Sequence, residues 1–416
     1  MTKQYGGTFY YGWVIAIAAG FILLIGNGMT LGGLNVFDKP LLAALNESAG
    51  GGVTLAGLKT RDAITLIFGG LMSPIAGAAA DRFGVRPLMV VGALFLAAGF
   101  FLYSTVDSLS QIYWIHLMFA AGLASCGLVV VVILISRWFI KDRGLAMGIA
   151  IAGTSLGNGT MPPVNAALIG EFGWRATFAW TSLLPLLLLP VIFFVIRERP
   201  TDLGPQKPAA GSVLATGGMS LSEALRTRNF WLLAFIAMFS FFSIIGTQAH
   251  LNLYMLSRGF SQMDAGFSYT VLFYVGLCGK LLNGLLADRL GKKRIFVATL
   301  AVMAAGTLVL ALPQSGSIWA GLVLFGFGWG GLYTLLQLLA ADYFGPRHLG
   351  KILGVITVLD TLGGGLGPPI LGAILDKTGS YDAAFLPVIV LVGFAFILST
   401  LFRTGRDAGT KVPAAT

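Results

Sequence analysis

Residues Tyr269–Arg294 read YTVLFYVGLCGKLLNGLLADRLGKKR. Up to Ala287 the run is apolar apart from Lys280 and Asn283, and it is long enough to cross a bilayer, which takes about 20 residues of helix. It then enters a charged turn, Asp288-Arg289-Leu290-Gly291-Lys292-Lys293-Arg294. A cation inside a spanning helix costs about 2.5–3.5 kcal/mol on insertion scales and is kept where it has a task. Lys280 is therefore the first candidate for a functional residue.

The rest of the chain has the same character. Of 416 residues 56% are hydrophobic and only 11% charged, with a mean hydropathy of +0.85. Soluble domains carry roughly 25% charged residues, so the composition describes a polytopic membrane protein. The 57 glycines suit helices that approach closely in lipid. Twelve apolar runs are expected to span: 11–34, 62–80, 87–105, 110–136, 144–168, 175–196, 229–256, 264–287, 295–312, 317–341, 350–375 and 382–402. The first is too long for the apolar part of a secretory signal, roughly 7–15 residues. Cys126 and Cys278 both lie in apolar runs and imply no disulfide framework.

Between the sixth and seventh runs, 197–228 is rich in Pro, Gly and charge. It reads as a linker between an N-terminal bundle, 1–196, and a C-terminal bundle, 229–416. Within it Ser220-Leu221-Ser222-Glu223 has the pattern of a capped short helix. The net charge of +10 invites a nucleic-acid surface, but its distribution excludes one. With the N-terminus inside, Lys39, Lys59, Arg61, Arg175, Arg258 and Lys377 fall in outer loops and Lys280 within a span. Every other Lys and Arg of the 27 is cytoplasmic. That is the positive-inside rule, and it predicts a multi-pass cell (inner) membrane protein with both termini cytoplasmic.

The halves repeat. Gly77-Ala-Ala-Ala-Asp81-Arg82-Phe-Gly84-Val-Arg86 matches Gly284-Leu-Leu-Ala-Asp288-Arg289-Leu-Gly291-Lys-Lys-Arg294, and Pro162-Pro163 matches Pro368-Pro369 at nearly the same offset. Two parallel six-helix halves with a site between them are a transporter plan. Asp81 and Asp288 end helices, where the macrodipole disfavours an acid, so each needs a partner on another element. That makes the paired turns a cytoplasmic latch, with Asp81, Arg82, Arg86, Asp288, Arg289 and Arg143 as its residues. With this motif twice in register, the sequence resembles the major facilitator superfamily.

A narrower resemblance runs along nearly the whole chain. Tyr11-Gly12-Trp13, the run Arg137-Trp-Phe-Ile-Lys-Asp-Arg143 through Gly148 to Gly153, and Gly326-Phe-Gly328-Trp329 through Gly345-Pro346-Arg347 to Gly367-Pro368-Pro369 look like the monocarboxylate transporter family. The resemblance implies proton-coupled movement of small monocarboxylates such as lactate or pyruvate. The family usually has an arginine in the eighth helix, with an aspartate four residues before it. Here those positions hold Lys280 and Gly276. Related oxalate–formate exchangers carry a cation in the eleventh helix, where this chain has Asp360.

Depth brings Lys280 and Asp360 together. Lys280 lies about 12 Å of helix before Asp288 and Asp360 about 15 Å after Gly350, at 1.5 Å per residue. Half the hydrocarbon core is about 15 Å, so both fall near the midplane, the only two charges expected deep in any span. The expected site is Lys280 holding the carboxylate, with Asn283 donating to it and Tyr333, Phe119 and Asn27 lining the cavity. Asp360, or His250 toward the outer end of helix seven, is expected to take the proton. The alternative for the pair is a structural ion bridge locking helices eight and eleven. His116 reads as a satisfied interfacial histidine and His348 as solvated in a turn. No phosphate loop, metal-ligand spacing or nucleophile elbow is present, so no enzyme activity and no cofactor are expected. The expected function is monocarboxylate–proton symport; an anion exchanger of the oxalate–formate type and a non-transporting membrane sensor are the alternatives.

Overall fold

The computed structural model describes residues 11–139, 143–198, 218–312, 315–345 and 349–402. All regular structure among them is helical. Ten segments are long and apolar enough to cross a membrane. One of these, Ala146–Val195, holds two crossings, and α3 below adds another, so the twelve-helix expectation is met.

The first crossing is irregular. α1 (Gly12–Asn27) passes into a π turn, Gly28–Gly32, and a 3₁₀ turn, Gly33–Phe37, before α2 (Asp38–Ala49). Where it changes winding it lies tight on a later helix: a Cβ at Gly28 would come within 2.6 Å of the backbone of Gly157. α3 (Leu55–Phe83) starts seven residues before the expected 62. Its start is capped by Thr54, whose side chain accepts from the Gly57 N–H. Lys59 and Arg61 therefore belong to a helix and not to an outer loop. α4 (Val85–Tyr103) follows the turn at Gly84, whose φ of 95° no other residue type adopts readily.

The fourth crossing breaks in two, α5 (Leu109–Cys126) and α6 (Leu128–Trp138), at an extended Gly127. α7 (Arg143–Thr181) bends at Gly173, with φ 74° and ψ 165°. Pro185 and Pro190 remove helical donors, and the sixth crossing continues as a 3₁₀ turn, the short α8 (Leu188–Pro190) and a π turn, Val191–Val195.

Beyond the linker come α9 (Leu221–Leu225), α10 (Arg228–Ser257), α11 (Gln262–Leu290), α12 (Lys292–Leu310), α13 (Ser315–Phe344), α14 (Leu349–Thr378) and α15 (Tyr381–Thr400). α9 carries the expected capping box of Ser220 and Glu223. Much of 197–228 lies outside the described residues, but its ends join opposite halves. Glu198 accepts from the Arg86 N–H at 2.8 Å and pairs with Arg137 at 2.9 Å. The Met219 N–H donates to the Phe344 carbonyl at 2.7 Å.

Buried apolar side chains form two cores, one drawn from Ile15 to Ile196 and the other from Ala224 to Phe402. These are the two six-helix bundles. Outside them, large apolar side chains such as Trp114, Phe194 and Leu281 are exposed, as a lipid-facing surface requires.

The bundles meet along two seams, α3 on α14 and α7 on α11. The seams are closed at the face opposite the Gly84 and Gly291 turns. There a Cβ at Gly372 would come within 2.9 Å of Ala56, and one at Gly266 within 2.9 Å of Pro163. Toward the turns the helices part: a Cβ at Gly77, Gly148 or Gly354 would meet nothing within 4 Å.

Candidate functional site

Lys280 sits on α11 where that helix crosses α7. Its Nζ donates to Ser155 Oγ at 3.0 Å and lies 5.7 Å from the centre of the Trp329 ring. One partner belongs to the other bundle and neither carries a charge. Position 276, one turn earlier on the helix, has no room for a side chain. A Cβ there would stand 2.9 Å from the Trp329 ring and 3.3 Å from the Gly326 carbonyl. The space an acid would need is filled by α13, and the lysine meets the π face of Trp329 instead. Gly276→Asp is therefore expected to cost about 1–3 kcal/mol through overpacking and not to improve function. Thermal unfolding of the purified variant checks this.

Asp360 on α14 is 3% exposed. One carboxylate oxygen accepts from Tyr333 OH at 2.9 Å and the other from Thr361 Oγ1 at 3.2 Å. The Tyr333 ring packs on Phe241 at 5.5 Å. Asp360 and Tyr333 are thus brought together as a unit. The described partners of Lys280 and of Asp360 are all neutral, so the two do not form the ion bridge that would have locked helices eight and eleven.

Other expected positions fall elsewhere. Phe119 does not line the cavity: it is fully buried, 4.7 Å from Phe100 and 5.3 Å from His116, in the aromatic core of its own bundle. Asn283 is also spent internally, donating to the Gly279 carbonyl at 2.9 Å and accepting from Thr299 at 2.9 Å. Asn27 is half-buried at the end of α1. His250 is fully buried, with Nε2 at 2.9 Å from the Pro368 carbonyl, so it faces no vestibule in this structure. His116 is satisfied, as expected, by Thr65 and Tyr103 at 2.6 Å each, but it is buried and not interfacial. His348 lies outside the described residues.

The latch residues are partly visible. Arg86 donates to the carbonyls of Ile192 and Phe193 at the end of the sixth crossing, and Arg82 lies 5.1 Å from the Phe83 ring. Arg289 is exposed. The side chains of Asp81, Arg143 and Asp288 lie outside the described residues. The hydrogen bonds described at this face each stay within one bundle.

A second charged group was hidden by the late start assigned to α3. Asp38, Lys59 and Arg61 are 0% exposed. Asp38 pairs with Lys59 and with Arg61 at 2.5 Å each. Asp62 sits farther off, 3.8 Å from Lys59 and 3.5 Å from Arg61. Lys59 also donates to Asn35 at 3.1 Å and, across the bundle boundary, to the Ala249 carbonyl. Lys280 and Asp360 are therefore not the only buried charges. Beside this group lies a cavity of about 30 Å³ lined by Thr30, Asn35, Asp62, Thr65 and Gln248, among others. It is large enough for water and too small for an organic acid. The signal in the sequence was Thr54, a helix cap placed ahead of Lys59.

The sequence matches the Major Facilitator Superfamily over residues 18–368 and again over 273–416. Monocarboxylate transporter 1 of Bos taurus is 25% identical over 417 residues, 90% of this chain and 81% of that protein. The oxalate:formate antiporter of Oxalobacter formigenes is 31% identical over 377 residues, 87% and 86% of the two chains. A solved bacterial homolog of the human lysosomal transporter Spinster, inward-facing and occupied, has a TM-score of 0.73 at 16% identity. It covers 97% of this chain and 98% of its own.

Proposed function

Because the chain belongs to the major facilitator superfamily, as a transporter and not an enzyme, related to monocarboxylate transporters and an oxalate:formate antiporter, we propose that it carries small monocarboxylates with a proton by alternating access. The observation that carries this is Lys280. It is a cation inside a span, at a bundle seam, whose partners among the described residues are a hydroxyl and a ring. Such a group is costly unless an anion visits it. The carboxylate of lactate or pyruvate supplies that anion, with Asn27 on the helix that shares the α7 seam.

Asp360 is the proposed proton carrier. A carboxyl whose partners among the described residues are hydroxyls can take and release a proton without breaking an ion pair. One cation and one acid suit a monoanion plus a proton and suit a dianion poorly. The proposed boundaries are 1–196, 197–228 and 229–416. The basic turns are placed at the cytoplasmic side of the cell (inner) membrane by the positive-inside rule. In that orientation the molecule is closed to the outside, and His250 is held in reserve as a second proton site that only an open outer side would expose.

The test is uptake of radiolabelled lactate, pyruvate, acetate and oxalate into proteoliposomes under an imposed pH gradient. Lactate or pyruvate is expected to accumulate, and uptake is expected to ignore membrane potential, because one anion and one proton move no net charge. Strongly voltage-driven uptake would overturn the stoichiometry. The 31% identity to an oxalate:formate antiporter favours exchange as the second reading, and exchange predicts counterflow from preloaded vesicles with no pH gradient. Asp360→Asn separates the steps: pH-driven accumulation is expected to fall to the level of passive equilibration while counterflow survives. Unchanged accumulation would remove Asp360 from the proton path.

A further inference from the structure

At the closed face one carboxylate reaches across the bundle boundary. Asp376, near the end of α14, accepts from the Leu55 N–H at 3.1 Å and the Ala56 N–H at 2.8 Å. These are the first two residues of α3. The next two donors are satisfied from within the chain: the Gly57 N–H by the Thr54 side chain at 3.1 Å and the Leu58 N–H by the Thr54 carbonyl at 3.1 Å. Of the N–H groups that a helix start leaves without partners, those of Leu55 and Ala56 are filled by the other bundle and that of Gly57 by the cap, and the Leu58 N–H makes the first bond of the helix itself. An acid at a helix N-terminus is also favoured by the macrodipole.

Two further contacts lie along the same boundary. Lys59, one turn into α3, donates to the Ala249 carbonyl of α10. Gly372, one turn before Asp376, lets α14 rest on the backbone at Ala56. By contrast Arg258 and Asp382, an ion pair at the same end of the molecule, join α10's end to α15 within one bundle.

We propose that Asp376 is the pin of a latch on this face, holding the pathway shut by capping α3 from the opposite bundle and releasing it when the face opens. Separation of the bundles strips the Leu55 and Ala56 N–H groups of their acceptor and takes the Ala249 carbonyl from Lys59. The closed state is therefore favoured above all by the Leu55 and Ala56 N–H groups, whose described acceptor is Asp376. Like the repeated acids of the basic face, Asp376 stands at the end of its own helix, and its partner is the start of a helix in the other bundle. The outer location rests on the orientation proposed above; the latch itself does not rest on any substrate.

The test uses Leu66→Cys, which lines the cavity beside Gln248, in a full-length Cys278→Ser background. A membrane-impermeant maleimide is applied separately to each side of sealed vesicles. Asp376→Ala is expected to raise the labelling rate from the face opposite the turns about fivefold, the effect of losing a helix cap. Asp376→Asn, which keeps one acceptor, is expected to fall between. Gly372→Val, which wedges the same seam, is expected to raise labelling as well and shows that the reporter responds. Asp382→Ala is expected to leave it unchanged. Labelling of both Asp376 variants at the parental rate overturns the latch, as does an equal rise in Asp382→Ala. Neither result touches the transport assay, which stands or falls on uptake.

Discussion

Lys280→Ala is expected to lower pH-driven monocarboxylate uptake by at least about a hundredfold while leaving the protein folded. A substrate carboxylate entering the seam between α7 and α11 leaves water, and without the ammonium it has only neutral groups to meet. Removing one member of a buried ion pair costs about 3–5 kcal/mol, which corresponds to a factor of a few hundred to a few thousand in binding. The apo protein should scarcely notice. Lys280 gives up a bond to Ser155 and a contact with Trp329, and no carboxylate is left unpaired by its loss. Thermal unfolding in detergent is therefore expected to move by no more than about 1 kcal/mol, the loss of one ordinary hydrogen bond. Lys280→Arg should retain measurable uptake with a changed KM, because a guanidinium keeps the charge but needs more room beside Trp329. Wild-type uptake in Lys280→Ala, or a collapse of its stability, would remove this residue from the substrate site.

Asp38→Ala is expected to do the opposite, acting on the fold first. Asp38 is the carboxylate that holds both Lys59 and Arg61 at 2.5 Å where none of the three is exposed. Alanine leaves two buried cations with only Asp62, 3.5 and 3.8 Å away, to share. The cost is about 3–5 kcal/mol, a large part of the 5–15 kcal/mol that separates folded from unfolded domains. Little monodisperse protein should be recovered. Asp38→Asn combined with Lys59→Met removes one charge of each sign and should recover most of the stability, since a balanced buried group can be replaced by neutral side chains at little loss. Melting followed by size-exclusion chromatography compares the two. If Asp38→Ala melts with the parent, the charge group is not what holds α2 to α3. If the double variant is no better than the single, packing and not charge balance is what Asp38 provides.

The site was legible in part. Lys280 and Asp360 stood out because a charge is rare in an apolar run, and the structure gives both neutral partners. Tyr333 was picked for a hydroxyl that needs a partner, and its partner is Asp360. Phe119 was picked by its depth on a helix that lines the cavity in the superfamily, and Asn283 because it borders the Lys280 face of the same helix and can donate to a carboxylate. Depth says how far along a helix a residue lies but not which way it faces, and both turn into their own bundles. The charges of α3 were assigned to a loop because hydropathy alone cannot recognise a helix whose first turns carry Lys59, Arg61 and Asp62.

By itself the amino-acid sequence determined the architecture. Apolar runs of bilayer length can only be helices, because no water is available to satisfy their backbone groups, and the repeated turns at Gly84 and Gly291 mark two like halves. Only the tertiary structure decided which charges are paired. Asp38 meets Lys59 and Arg61 across more than twenty residues of chain, Ser155 meets Lys280 across the bundle boundary, and Asp376 meets the start of α3 from the far half. A hydrogen bond depends on direction within a few tenths of an ångström. That is fixed by how packed helices are rotated against one another, a property that no single helix carries in its own sequence.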